Sequence, residues 1–212
     1  MEKIKQDYIL LIMNCEKYRD KALAQKNGWL KQLPSNIIYF HILGNPELCE
    51  EYVFNHDERI LWVKTMDDYN SLPKKVIASY YAINQYYDFK YIFKSDDDQT
   101  LLKLNFFKTL CNLLETKKPK YHYGGQLNKV TAPYLSMYNT IHPELPDNLI
   151  IQSTDYCSGR FYLLSPESIK YLISKRKMIE KEYLEDYAIG LNLNGIFKKD
   201  ILYLKCDTIF KG

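Results

Sequence analysis

The sequence predicts a single α/β domain with a mostly parallel central sheet and helices on both faces. Three observations carry that reading. The run YILLIM at 8–13 is continuously apolar, without the in-and-out alternation of a half-solvated strand, as a strand buried on both faces requires. Strand-like and helix-like segments then alternate through the first half of the chain, the pattern of right-handed βαβ units. At 212 residues, 46% hydrophobic and 26% charged, the chain is long enough to bury one sizeable core and has the composition of an ordinary globular protein.

The elements follow in order. After the strand at 8–13, a helix is expected over 17–33, stopped before Pro34. The run IIYFHIL at 37–43 is a second strand, closed by Gly44-Asn45-Pro46, and 59–64 a short third. Ser71 is a candidate cap for a helix running to about Tyr87, with Pro73 in its first turn and Val76, Ile77, Tyr80, Ala82 and Ile83 forming an apolar side. The fourth strand, 90–94, carries three consecutive aspartates after its end. A helix is expected over 104–115, and a strand over 120–123 running into Gly124-Gly125. Residues 126–155, with Pro133, Pro143 and Pro146, read as a long irregular segment, which is more often functional than idle. A strand at 161–164 leads into Ser165-Pro166, a capped helix start; a further helix opens at Glu185, and 201–204 is a late strand. One domain covers 1–212, in two parts, 1–125 and 126–212.

The bulk numbers exclude several classes. A net charge of +3 without a dense Lys/Arg block gives no electrostatic footprint for nucleic acid. The longest apolar run, 8–13, is far too short to span a bilayer, and no basic segment with a cleavage site precedes it, so a cytoplasmic or membrane-peripheral location is expected. Cys15, Cys49, Cys111, Cys157 and Cys206 are scattered without CxxC spacing, which predicts buried free thiols rather than a structural zinc site. The 20 tyrosines offer faces for stacking on bases and sugar rings, although tyrosine also packs cores.

The acidic triplet Asp96-Asp97-Asp98 is the most informative local feature, because folding requires no such cluster after an apolar strand. Side chains one and three along an extended backbone share a side, so Asp96 and Asp98 are placed to share a divalent cation or to divide a cation and a ribose hydroxyl. Hard oxygen ligands suit Mg²⁺ or Mn²⁺, which keep positions open for water and substrate phosphates. In α/β sheets of this kind ligands bind outside the carboxyl ends of the strands, where the triplet falls. A solvated acidic turn has the same local sequence, and the remaining segments decide between the two.

Those segments are Asp67-Asp68-Tyr69-Asn70-Ser71-Leu72-Pro73-Lys74-Lys75 before the triplet, and after it YCSGRFYLLS at 156–165 and Leu184-Glu185-Asp186-Tyr187-Ala188-Ile189-Gly190. In that order and spacing the chain resembles the β1,3-galactosyltransferase and Fringe-like glycosyltransferases, family 31, of the GT-A fold, over roughly residues 19–196. Asp67, Tyr69, Leu72 and Lys75 match the pattern DxYxNLTxK; 156–165 matches YCSGxGYxLS except at the sugar-facing glycines; Glu185, Asp186 and Gly190 match EDVxxG. The resemblance implies a metal-dependent, inverting transfer from a UDP-sugar to a glycan or other hydroxyl acceptor, with 1–125 the nucleotide-binding part and 126–212 the part facing donor sugar and acceptor. It implies that Asp98 and Asp96 serve Mn²⁺ or Mg²⁺, that Asp96 and Asp97 serve metal and ribose, and that Ser158, Gly159 and Arg160 face the donor. Asp186 is the implied catalytic base, with Glu185 as its substitute. Lys75 either neutralises a phosphate or decorates a helix face.

Three departures from the family pattern stand out. All four histidines, His41, His56, His122 and His142, precede the Glu185-Asp186 motif, whereas the family has a late metal-binding histidine; water or another late residue such as Asp207 would complete the site. Arg160 and Phe161 replace small residues of the donor-sugar segment. The membrane anchor and stem usual in eukaryotic members are not recognisable. Two rival readings remain at this stage: a haloacid-dehalogenase-type phosphatase using Asp96 as nucleophile and Asp98 as acid/base through DxDxT ending at Thr100, and a binding module for nucleotide sugars or glycans without turnover.

Overall fold

The computed structural model of the chain describes residues 2–212. Eight strands form its main sheet: β1 (Tyr8–Met13), β2 (Ile37–Gly44), β3 (Tyr52–Asn55), β4 (Ile60–Val63), β5 (Tyr91–Asp96), β6 (Tyr123–Val130), β7 (Thr154–Leu164) and β8 (Ile201–Tyr203), in the order β8-β6-β7-β5-β1-β2-β4-β3. Strands β5, β1, β2 and β4 run parallel, and β8 runs parallel to β6. The edge strand β3 is antiparallel to β4, and β7 is antiparallel to both β5 and β6. The sheet is therefore mixed around a parallel centre, as the sequence predicts.

The helices are α1 (Arg19–Asn27), α2 (Leu72–Tyr86), α3 (Phe106–Thr116), α4 (Pro166–Ser174), α5 (Arg176–Ile179) and α6 (Glu185–Asn192). The apolar run of β1 explains its central place. Ile9, Leu11 and Met13 enter one core with α2, α4 and α6, while Tyr8, Leu10 and Ile12 enter a second core with Trp29, Phe107, Phe161 and Phe210. Alternate residues thus feed opposite faces, and both faces are covered. Each buried aliphatic side chain contributes roughly 1.5–3 kcal/mol relative to exposure, so this strand is a principal source of stability.

Four sequence expectations are corrected. The single helix over 17–33 is broken into α1 (Arg19–Asn27) and a 3₁₀ turn at Trp29–Gln32. Gly28 separates them at a point where a Cβ would lie 3.0 Å from the Ala24 carbonyl, and the turn delivers Trp29 inward against Phe107. Ser71 does not cap α2 with its side chain; instead Asp68 Oδ1 accepts from the Ser71 N–H at 2.8 Å, capping the 3₁₀ turn that leads into the helix. Gly124 and Gly125 do not end a strand at Tyr123 but lie within β6, where a Cβ on Gly125 would meet Cys157 and Phe161 at 2.8 Å.

Residues 126–155 are also more ordered than their composition indicates. β6 continues to Val130, β7 begins at Thr154 opposite it, and the intervening segment holds a short antiparallel pair, Tyr134–Leu135 with Ile150–Ile151. Thr154, Asp155 and Tyr156 are half-buried rather than core residues, so this part of β7 lacks the apolar run that marks β1. Between Cys157 and Tyr162 the register of β7 on β6 shifts, and Ser158, Gly159 and Arg160 form a bulge. Cys111, Cys157 and Cys206 are buried free thiols, whereas Cys15 is half-buried and Cys49 exposed.

Candidate active site

The carboxyl ends of β1 and β5 open into a cleft of about 810 Å³, bordered by the bulge of β7 and the first turn of α6. The site residues expected from the sequence, Lys75, Asp96, Asp97, Asp98, Ser158, Gly159, Arg160, Glu185 and Asp186, all line it. Parallel strands lead there because their carboxyl ends converge on one rim of the sheet, with Asp96 in register beside Met13 of β1.

Each aspartate of the triplet has a different environment. Asp96 is half-buried at the end of β5, and its Oδ1 accepts from Lys94 Nζ at 2.6 Å. Asp97 lies 3.4 Å from Lys21 Nζ of α1, and burial outweighs that cation to push its carboxyl up to about 6. Asp98 is exposed and accepts from the side chain of Gln99. Gln99 fixes the turn from below, since its carbonyl accepts from Trp29 Nε1 and Gln25 Nε2, both at 3.0 Å. The inward turn of Trp29 therefore supports the triplet directly.

The other wall carries the second acidic pair. Asp186 Oδ2 accepts from the Gly159 N–H at 2.8 Å and its Oδ1 from the Tyr187 N–H at 2.7 Å. Burial raises its proton affinity above that of an ordinary aspartate, against the opposing pull of Lys94 and the two amides. Glu185 is buried, with Oε2 2.7 Å from Lys94 Nζ and Oε1 accepting from Tyr162 Oη.

Lys75 does not decorate an exposed helix face but is buried against the cleft. It is 1% exposed, and its Nζ donates to the Asn14 carbonyl at 2.6 Å and to Asp67 Oδ1 at 2.7 Å. Asp67 also accepts from the Gly44 and Glu16 amides at 2.8 and 2.7 Å, so this pair pins the chain leaving β1 and β2 under the cleft. Arg160 reaches across to the carboxyl-terminal segment, 3.1 Å from Asp207 Oδ1, and Asp207 Oδ2 accepts from Gln126 Nε2 at 3.0 Å. Asp207 is thereby turned toward Arg160 and is not among the residues that line the cleft.

Two contributions were not read from the sequence. Lys94 carries no signal of its own there, because Gly159 and Glu185 lie far along the chain from it. His142 has no partner spacing, yet its ring stacks on Tyr69 at 3.8 Å and 13°, and both line the cleft beside Tyr134, Tyr138 and Tyr156. The high tyrosine content was the available signal for that aromatic wall.

The Galactosyltransferase family profile matches residues 22–199 of the chain. The chain belongs to the galactosyltransferase family. Curated relatives of this galactosyltransferase-family chain include the UDP-GalNAc:beta-1,3-N-acetylgalactosaminyltransferase 1 of Sus scrofa, 25% identical over 195 residues that cover 84% of this chain and 54% of the relative. The Mus musculus protein of the same name is 26% identical over 195 residues, covering 84% and 54%. The chain thus spans about half the length of the curated relatives it matches. Among solved structures, a glycosyltransferase involved in the glycosylation of the major capsid of PBCV-1 superposes with a TM-score of 0.54 at 9% identity, covering 96% of this chain and 92% of that one. The fold is of the GT-A glycosyltransferase type, and family membership accounts for the segments that the phosphatase reading leaves unexplained. Among the described residues, no helix is long and apolar enough to cross a membrane.

Proposed function

We propose that the chain catalyses transfer of a sugar from a UDP-sugar to a hydroxyl acceptor, with inversion, assisted by a divalent cation. The observation that carries this reading is the joint placement of Asp98, at the strand-end triplet, and Asp186, at the start of α6, on one cleft. A donor held at the first and an acceptor at the second would meet between them.

The residues fit a hard divalent cation. Asp98 is exposed toward the cleft and Asp96 is half-buried beside it, an oxygen donor set of the kind Mn²⁺ or Mg²⁺ takes when substrate phosphates and water supply the other positions. Among the described residues no group of three or more His, Cys, Asp or Glu side chains converges to hold a metal by itself. When bound, the cation supplies charge stabilisation for the departing diphosphate.

The chain's own groups supply the rest. Asp186 uses its two backbone N–H bonds to fix the orientation of its carboxylate, and its raised proton affinity suits a group that takes a proton from an acceptor hydroxyl at a carboxylate oxygen. Glu185, with both oxygens engaged inside the protein, is poorly placed to substitute as base. The stacked Tyr69 and His142, with Tyr138 and Tyr156, form an aromatic wall of the cleft suited to packing against sugar rings. Arg160 takes the position of a small family residue, so the sugar carried by the relatives' donor is not assumed for this chain.

The test is metal-dependent release of UDP from a panel of UDP-sugars, with and without hydroxyl acceptors, alongside calorimetry of UDP with Mn²⁺. Turnover supports the proposal. Tight metal-dependent UDP binding with no release from any donor would favour the non-catalytic binding module instead.

A further inference from the structure

Lys94 stands where the apolar pattern of β5 calls for a hydrophobic residue. It is 2% exposed, and its Nζ lies 2.6 Å from Asp96 Oδ1, 2.7 Å from Glu185 Oε2 and 2.8 Å from the Gly159 carbonyl. An ammonium has three donors, and all three are used. Glu185 is held from its other side by Tyr162 Oη, which lies 2.6 Å from Tyr80 Oη in the core. A buried cation is costly unless paired and fully hydrogen-bonded, and an apolar residue would serve stability as well. The cluster therefore needs a reason other than stability.

Its geometry supplies one. Asp96 ends β5 on the triplet side of the cleft, Gly159 lies in the bulge of β7, and Glu185 opens α6 immediately before Asp186. One side chain touches all three elements. Gly159 is bound on both sides, since its carbonyl accepts from Lys94 and its N–H donates to Asp186. A separate observation agrees: a Cβ on Gly159 would lie 3.2 Å from Lys94 Nζ and 3.5 Å from both Asp96 Oδ2 and Glu185 Oε2. A Cβ there would require Lys94 Nζ to give way by a few tenths of an ångström, so the backbone of the bulge packs directly on the ion cluster.

We infer that Lys94 is a positioning residue that locks Asp96, the Gly159 bulge and the first turn of α6 in one arrangement, and so sets where Asp186 stands relative to the triplet. Glu185 is then an anchor for α6. The inference rests on the proposed transfer for what the cleft does, and on the ion cluster alone for what holds it together.

The test measures amide hydrogen exchange of the full chain without metal or nucleotide, comparing wild type with K94M, K94R and G159A. In K94M, exchange in peptides covering 157–161 and 184–190 is expected to rise by about tenfold or more while β1 and β2 keep their protection. G159A, which retains every charge, should shift the same peptides in the same direction by a smaller factor, and it decides the matter if K94M does not fold. K94R keeps the charge but replaces a compact three-donor group by a planar fork, so it should restore only part of the protection. In turnover of a UDP-sugar, G159A should lower kcat by about 10²-fold with the donor KM changed far less, as misplacement of a reacting group predicts. Unchanged exchange in both peptides for K94M and G159A would overturn the inference, and so would a rise spread evenly through the sheet. Absence of turnover by the wild type would refute the transferase proposal and leave the exchange result to decide the role of Lys94.

Discussion

The Gly159 N–H donates a 2.8 Å hydrogen bond to Asp186 Oδ2, joining the bulge of β7 to the first turn of α6. With the Tyr187 N–H on Oδ1, each carboxylate oxygen accepts one fixed bond and keeps lone pairs free. Asp186→Asn retains an acceptor for one amide but cannot take a proton. Turnover should fall by about 10²-fold or more, at nearly unchanged UDP affinity. Full activity in the Asn variant, measured as UDP release, would remove Asp186 from the role of base.

Asp98 is the exposed member of the triplet and contacts the side chain of Gln99. Asp98→Ala should abolish metal-dependent UDP binding by calorimetry while unfolding free energy changes by about 0.5 kcal/mol or less, as for other surface substitutions. Chelation of the wild type should reproduce the binding loss. Retained Mn²⁺-dependent affinity in the variant would move the metal site elsewhere.

The parallel centre of the sheet and the acidic ends of the cleft were legible because each is encoded locally. β1 announces itself by an unbroken apolar run, and the triplet and the Glu185-Asp186 pair lie where a strand ends and a helix begins. Lys94 was not legible in the same way: within β5 it reads as a defect, and only folding brings Gly159 and Glu185 to it. The same holds for half of the Lys75 pairing: Asp67 lies in the same sequence motif, but Asn14 comes from the end of β1. The β7 residues before the bulge were missed because a strand bordering a cleft carries polar side chains on its open side.

Arg160 forms a 3.1 Å ion pair with Asp207, bringing the carboxyl-terminal segment to the edge of the cleft. Both groups are partly solvated, so the pair contributes about 0–1 kcal/mol to stability and its main consequence is shape. Arg160→Gly should reorder the preference among UDP-sugars in a competition assay while UDP affinity changes little. A collapse of UDP binding with the ranking fixed would instead make Arg160 a phosphate ligand.

His41 gives a pH dependence separate from catalysis. It lies on β2, 1% exposed, with neither ring nitrogen hydrogen-bonded among the described residues, beside a cavity of about 310 Å³ that Lys26 also lines. Burial, with Lys26 adding to it, pushes its pKa down from 6.5 to about 3. Above pH 6.5 the ring is neutral whether the chain is folded or not, and it contributes no pH dependence. Below that value the unfolded chain binds a proton that the folded chain refuses until about pH 3, so stability falls as pH falls across this window. By pH 5 the loss is about 2 kcal/mol, from 1.36 kcal/mol per unit of pKa difference traversed. His41→Leu removes the group without adding a polar atom to the site. Urea unfolding at pH 7 and pH 5 should then show the wild type losing about 2 kcal/mol more than the variant between the two conditions. Equal losses would mean that His41 titrates normally in the folded chain, with its ring solvated from the cavity.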